Sequence, residues 1–141
     1  MIPKPGQTLI DLATRLATHV VPDVNTNFGQ ADSGLISGLL ITLGQEFERS
    51  VDNAMQDIDE LKVLFATLDE NIPGHAERDR FRDTALSSLH LTDVTQLQAS
   101  GLECLIALHE WAESNDEALD VTIWQFLRRH TERGKFDFPG P

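Results

Sequence analysis

Residues 107–113, with the sequence ALHEWAE, contain the residue types of a metal site. His109 is followed directly by Glu110 and, four residues after the histidine, by Glu113. Side chains four residues apart lie on the same face of a helix, whereas adjacent side chains point about 100° apart. Imidazole and carboxylate groups are both ligands for zinc. The segment therefore offers one pair of ligands, His109 with Glu113, and Glu110 is predicted to face solvent.

Two known metal-site patterns are not completed. Di-iron bundles use Glu-x-x-His on two helices, because that spacing directs both ligands inward. Here the residue three positions before each histidine is never acidic. The zinc-protease pattern His-Glu-x-x-His has Glu113 where its second histidine is needed. We expect no metal or other cofactor.

A third chemistry, Mg²⁺-dependent hydrolysis of a nucleotide, needs several carboxylates on adjacent helices of a bundle. Glu110, Glu113 and Asp116 are spaced by three residues, and residues 57–60 supply a second acidic group. Three-residue steps drift around a helix, and no basic residue is placed beside these acids to hold phosphates. A solvated acidic face is the favoured interpretation.

Polar residues also border the apolar face of a long predicted helix. Helical spacing puts two histidines at the apolar edges of their helices and a series of polar side chains along one border of the long helix. Convergence of these groups in a bundle would form a ligand or proton-transfer site, although buried charges are nearly always paired with neighbours. The ligand-binding candidates are Glu46, Asn53, Asp57, His19, His109 and Glu113.

Helical periodicity accounts for most of the chain. Thr8 is predicted to cap a first helix over residues 9–21, which Pro22 ends. Asp32 or Ser33 is predicted to cap one long helix over about residues 33–68. Its apolar residues form a nearly unbroken 3.6-residue stripe: Ile36, Leu39, Leu40, Leu43, Phe47, Val51, Ala54, Ile58, Leu61, Leu64, Phe65 and Leu68.

Three further helices follow. A short polar helix is predicted over residues 76–89, a fourth from a cap at Thr92 or Asp93 to about residue 114, and a fifth from a cap at Ser114 or Asn115 to Gly134. The core stripe of the fourth helix is predicted to be Val94, Leu97, Gly101, Leu105, Leu108 and Ala112. No segment alternates with the period of a strand. The fold is therefore predicted to be an all-α, single-domain bundle of four to five helices over residues 1–141, with irregular tails at 1–7 and 135–141.

Composition narrows the range of partners. The formal net charge of −12 repels phosphate backbones and anionic lipids, which argues against nucleic-acid and membrane partners. The longest uncharged run, residues 33–45, is shorter than the roughly 20 apolar residues of a membrane-spanning helix. A single cysteine, Cys104, cannot form an internal disulfide. These features predict a cytoplasmic protein.

The favoured function is that of a non-enzymatic helical bundle that binds a protein partner or a second copy of itself. Trp111 and Trp124 lie off the centre of their apolar stripes and are the candidate interface residues. The alternative is a bundle with an inward polar site for a small ligand or divalent metal, which includes a metal-dependent hydrolase.

Overall fold

The structure is a computed structural model, which describes residues 4–138. Over these residues the chain forms five α-helices and no strand. The predicted all-α fold with one long helix is confirmed. The helices are α1 (Pro5–Arg15), α2 (Asn27–Ala66), α3 (His75–Asp83), α4 (Leu91–Asn115) and α5 (Glu117–Arg133). No helix in this described part is both long enough and apolar enough to cross a membrane.

The first helix begins earlier than predicted. Pro5 occupies the first turn, where its fixed φ and missing N–H are compatible with a helix, so residues 5–7 are helical rather than irregular. Thr8 is not the cap, because its hydroxyl donates to the Lys4 carbonyl at 2.9 Å as a residue inside a helix does. After Arg15 the chain continues as a π-helical turn, Leu16–Val20, and a 3₁₀ turn, Val21–Asp23.

The long helix α2 also begins before its predicted cap. The hydroxyl of Thr26 accepts a hydrogen bond from the Gly29 N–H at 3.1 Å, which satisfies one of the free amides of the first turn. Asp32 and Ser33 therefore lie inside the helix. The prediction of a cap at either residue was wrong, and α2 gains six residues at its start relative to the predicted boundary at 33.

Helix α3 is shorter than predicted, because the residues that would extend it form other hydrogen bonds. The Thr84 carbonyl accepts a hydrogen bond from Lys62 Nζ at 2.9 Å. Ser88 bonds to Asp93 at 2.6 Å and also accepts the His90 N–H. Such side-chain bonds compete with helix formation. Residues 84–90 are consequently not helical.

The junction between α4 and α5 is a single residue. The prediction of a cap at Ser114 or Asn115 was wrong, because Asp116 is the cap of α5: its carboxylate accepts the Leu119 N–H at 3.0 Å. Because the connection is so short, residues near the end of α4 and the start of α5 are held close together. This connection brings the His109 region of α4 near the first turns of α5.

The described chain divides into two compact units, one that ends at Ser50 and takes in the tail from Phe136, and one of Val51–Lys135. The second unit contains the main hydrophobic core, from the C-terminal half of α2 and helices α3 to α5. All six residues of the predicted α4 core stripe are buried there. The α2 residues buried in this core are Ala54, Ile58, Leu61 and Phe65.

In the first unit, α1 packs on the N-terminal half of α2. The Ser37 hydroxyl donates to the Ala13 carbonyl at 3.0 Å, and both residues are buried. Gly44 lies against the backbone of Gly6. The described tail is held by Gln45, whose side-chain carbonyl accepts the Asp137 N–H at 2.8 Å. The first unit is thus a helical hairpin with a short tail segment bonded to α2.

At Gly44, α1 and α2 pack so closely that there is no room for a side chain. A Cβ at Gly44 would lie 2.8 Å from the Gly6 carbonyl oxygen, a backbone atom that cannot move alone. Gly44→Ala is therefore expected to displace α1 and destabilise the first unit by about 1–3 kcal/mol. Amide hydrogen exchange measures the effect: the amides of α1 are expected to exchange faster in Gly44→Ala than in the wild-type protein.

Gly38→Ala is the matched control, because nothing lies within 4 Å of a Cβ at that position. Alanine favours the helix over glycine by about 1 kcal/mol, so this variant is expected to keep or slow α1 exchange. Equal exchange rates of α1 in the two variants would contradict the close-packing role of Gly44.

Candidate functional site

One buried polar cluster links α2 to the C-terminal end of α5. The carboxylate of Asp57 is almost completely buried. Its Oδ2 accepts hydrogen bonds from Gln98 Nε2 at 2.6 Å and His130 Nδ1 at 2.7 Å. Its Oδ1 accepts from Arg133, through Nε at 3.1 Å and through Nη2. We name Asp57, Gln98, His130 and Arg133 the Asp57 cluster.

Neighbouring groups complete this cluster. Arg133 also donates to Glu60 at 2.7 Å, and Arg129 donates to Glu60 at 2.9 Å. Burial alone lowers the pKa of the Arg133 guanidinium, but the hydrogen bonds to Asp57 and Glu60 and the charges of these two acids together raise the pKa by more, so the net shift is upward. Asn53 donates to the Arg133 carbonyl at 3.0 Å. With four donors on Asp57, the cluster is a satisfied ion-pair network and not an open ligand site.

A second cluster lies between α4 and the start of α5. Nε2 of His109 is 2.9 Å from Asp120 Oδ1 and 3.9 Å from Glu113 Oε1. One ligand atom from each of the three residues lies within 4.8 Å of the others. Since a carboxylate only accepts, Nε2 carries the proton of the bond to Asp120. We name His109, Glu113 and Asp120 the His109 cluster.

The ligand-binding candidates of the second unit fall into two groups with different partners. Asp57 and His109 have different partners, and Asn53 belongs with Asp57. His19, predicted to point inward, is exposed in the π-helical turn, where the spacing departs from the α-helical period used for the prediction. Glu46 is also exposed.

The two tryptophans differ in exposure. Trp111 is half-buried and packs against the core of the second unit, so little of its ring is available to a partner. Trp124 is 57% exposed, and its ring meets the His109 ring edge-on with centroids 5.3 Å apart. Trp124 therefore remains an interface candidate and also orients His109.

The environments of Cys104 and of the arginines of the second unit indicate structural roles. Burial, followed in importance by the charge of Glu77, raises the pKa of the Cys104 thiol, which keeps it protonated and poorly nucleophilic. The buried Arg78 donates to the carbonyls of Ile72 and Pro73 and fixes the turn before α3. Arg129 and Arg133 of α5 form ion pairs with acids of α2.

An apolar face is exposed on the N-terminal half of α2. Here the stripe that is buried in the second unit is open to solvent, with side chains between 45% and 62% exposed. We name this set the exposed α2 face; it consists of Leu35, Ile36, Leu39, Leu43 and Phe47. Apart from the adjacent pair Leu35 and Ile36, successive members are three or four residues apart, which keeps these side chains on one side of the helix. The prediction from the sequence alone did not distinguish this half of the stripe from the buried half.

Comparison of the chain with protein-family profiles, with curated proteins and with solved structures finds no match.

Proposed function

We propose that the protein is a non-enzymatic interaction module, which binds a protein partner or a second copy of itself through the exposed α2 face. The observation that carries the proposal is the exposure of five large apolar side chains in a continuous helical stripe. Together they expose on the order of 500 Å² of apolar surface, near the upper end of the largest patch on a typical monomer. Such a patch costs hydration free energy unless a partner covers it.

Neighbouring residues support a docking role for this unit. Phe28, near the start of α2, is 83% exposed, and Leu12 on α1 is 49% exposed. Leu12 is adjacent to Ala13, which packs on α2, so its side chain points about 100° away from that contact. The hairpin thus presents apolar side chains from both of its helices. This is the arrangement of an amphipathic face that a partner helix can cover.

The acidic composition favours a partner with a basic rim around its apolar contact, because a net charge of −12 attracts cationic surfaces. Self-association has to overcome the repulsion between two acidic copies, which salt screens. The single cysteine also favours a reducing, cytoplasmic location for the interaction.

The test replaces two residues of the exposed α2 face by acids. Leu39→Glu together with Leu43→Glu is expected to abolish self-association in sedimentation equilibrium, because two carboxylates would have to be desolvated in the interface. Both positions are more than half exposed, so folding of the chain is expected to persist. Circular dichroism checks that it does.

Ile106→Glu is the matched control, since Ile106 is an isolated apolar residue of α4 that is 69% exposed. It is expected to associate as the wild-type protein does. A wild-type protein that is monomeric at high concentration would overturn self-association. Binding to a different protein is tested by placing a photo-crosslinking residue at position 39, and for comparison at position 106, in cells. If position 39 crosslinks to no protein more strongly than position 106 does, this form of the proposal is overturned.

A further inference from the structure

The His109 cluster has the ligands, spacing and charge of a binding site for a divalent transition metal. It combines one imidazole and two carboxylates from two helices. We propose that His109, Glu113 and Asp120 bind one Zn²⁺ ion, which links α4 to α5. The site uses none of the residues of the exposed α2 face, so it goes beyond the proposed interaction function. It also reverses the expectation, drawn from the sequence, of no metal.

The three ligand atoms lie within 4.8 Å of one another, close enough for one tetrahedral ion after movement of the side chains. Zinc binds imidazole nitrogen and carboxylate oxygen at about 2.0–2.2 Å, so tetrahedral ligand atoms lie about 3.3 Å apart. The His109–Asp120 and His109–Glu113 separations, 2.9 Å and 3.9 Å, lie on either side of that value. The Glu113 side chain is 60% exposed and free to rotate toward the ion. Three protein ligands leave a fourth position for water.

The charges at this cluster also differ from those at the Asp57 cluster. Asp57 and Glu60 are neutralised by Arg129 and Arg133. Within residues 4–138, in contrast, the ion pairs of Glu113 and Asp120 involve only His109, and no arginine or lysine. The two carboxylates of the cluster carry two negative charges, which one divalent cation balances.

Zinc binding requires a change of tautomer at His109. Nε2 donates a hydrogen bond to Asp120, so for Zn²⁺ to bind there the ring loses the Nε2 proton to water and takes one up from water at Nδ1, and its charge does not change. The nitrogen lone pair then binds the metal. The edge-on contact of Trp124 holds the imidazole ring in its present orientation. An imidazole ligand favours zinc and its first-row neighbours over Mg²⁺ or Ca²⁺, which prefer oxygen ligands alone.

The experiment uses the full chain without a histidine tag. Isothermal titration with Zn²⁺ is expected to show one site, and Co²⁺ is expected to give the visible absorption of a four-coordinate ion. Asp120→Asn and Glu113→Gln are each expected to weaken binding at least about tenfold, and His109→Ala is expected to abolish it.

Glu110→Gln is the matched control, because it removes the same charge from the adjacent, exposed face of α4. Its Zn²⁺ affinity is expected to equal that of the wild-type protein. If Glu110→Gln and Glu113→Gln weaken Zn²⁺ binding equally, the loss comes from the change in net charge and not from the loss of a ligand, and the site is overturned. Absence of both Zn²⁺ heat and Co²⁺ absorption in the wild-type protein would overturn it as well.

Discussion

Arg133→Met is expected to destabilise the second unit by about 3–5 kcal/mol, because it leaves a buried carboxylate without its main counter-charge. Asp57 would keep the hydrogen bonds of Gln98 and His130 but lose both guanidinium contacts. The methionine retains much of the apolar stem of the arginine, so the change isolates the charge. Urea unfolding followed by circular dichroism measures the free energy of unfolding.

Arg128→Met provides the comparison on the same helix, since Arg128 is exposed. Its effect is expected to stay within about 0.5 kcal/mol. Adding Asp57→Asn to Arg133→Met is expected to recover part of the lost stability, because the uncompensated charge is gone while an acceptor remains. If Arg133→Met costs no more than Arg128→Met, the Asp57 cluster is not a net source of stability.

Local periodicity predicted the parts of the fold that depend on a single helix. The six buried residues of α4 follow directly from placing side chains at about 100° per residue, since an amphipathic helix must turn its apolar side inward. The same rule fails at His19, where the chain leaves α-helical geometry for a π-helical turn. Helix starts were missed where a proline or an unrecognised threonine cap set them.

Partners that come from distant segments could not be predicted by this rule. Arg133 lies in the last turn of α5, where a cation matches the helix dipole, and nothing in its local spacing points to Asp57, 76 residues away. An inward acid on α2 does require a cation, and the end of α5 offers several, which is the signal a sequence argument could use. Asp120 joins His109 because α5 folds back on α4 after a one-residue connection.

The exposed α2 face could not be predicted from local periodicity either. The apolar stripe of α2 has the same spacing on both sides of Ser50, although only the second half is covered. Coverage depends on how many other helices pack against each half, and periodicity contains no information on that. The sequence therefore predicts an apolar face on α2, while the structure distinguishes core from exposed surface.

Phe81→Ala is expected to cost about 3–5 kcal/mol and to detach α3 from the core. Phe81 is the buried apolar residue of α3, with its ring edge-on against Phe65 at 5.7 Å between centroids. Removing the ring leaves a cavity that the rigid helices around it cannot fill. Thermal and urea unfolding measure the loss. Phe28→Ala, at a site 83% exposed, is expected to have little effect on unfolding.

Substitution of Gly101 tests whether the Phe81 ring packs directly against α4. A Cβ at Gly101 would lie 2.7 Å from the Phe81 ring, so Gly101→Ala alone is expected to cost about 1–3 kcal/mol through overpacking. In the Phe81→Ala background that clash is absent, and alanine also favours the helix over glycine. Gly101→Ala is then expected to be nearly neutral or stabilising, which gives a coupling of at least about 1 kcal/mol between the two positions. Additive effects would show that the ring and the glycine are not packed against each other.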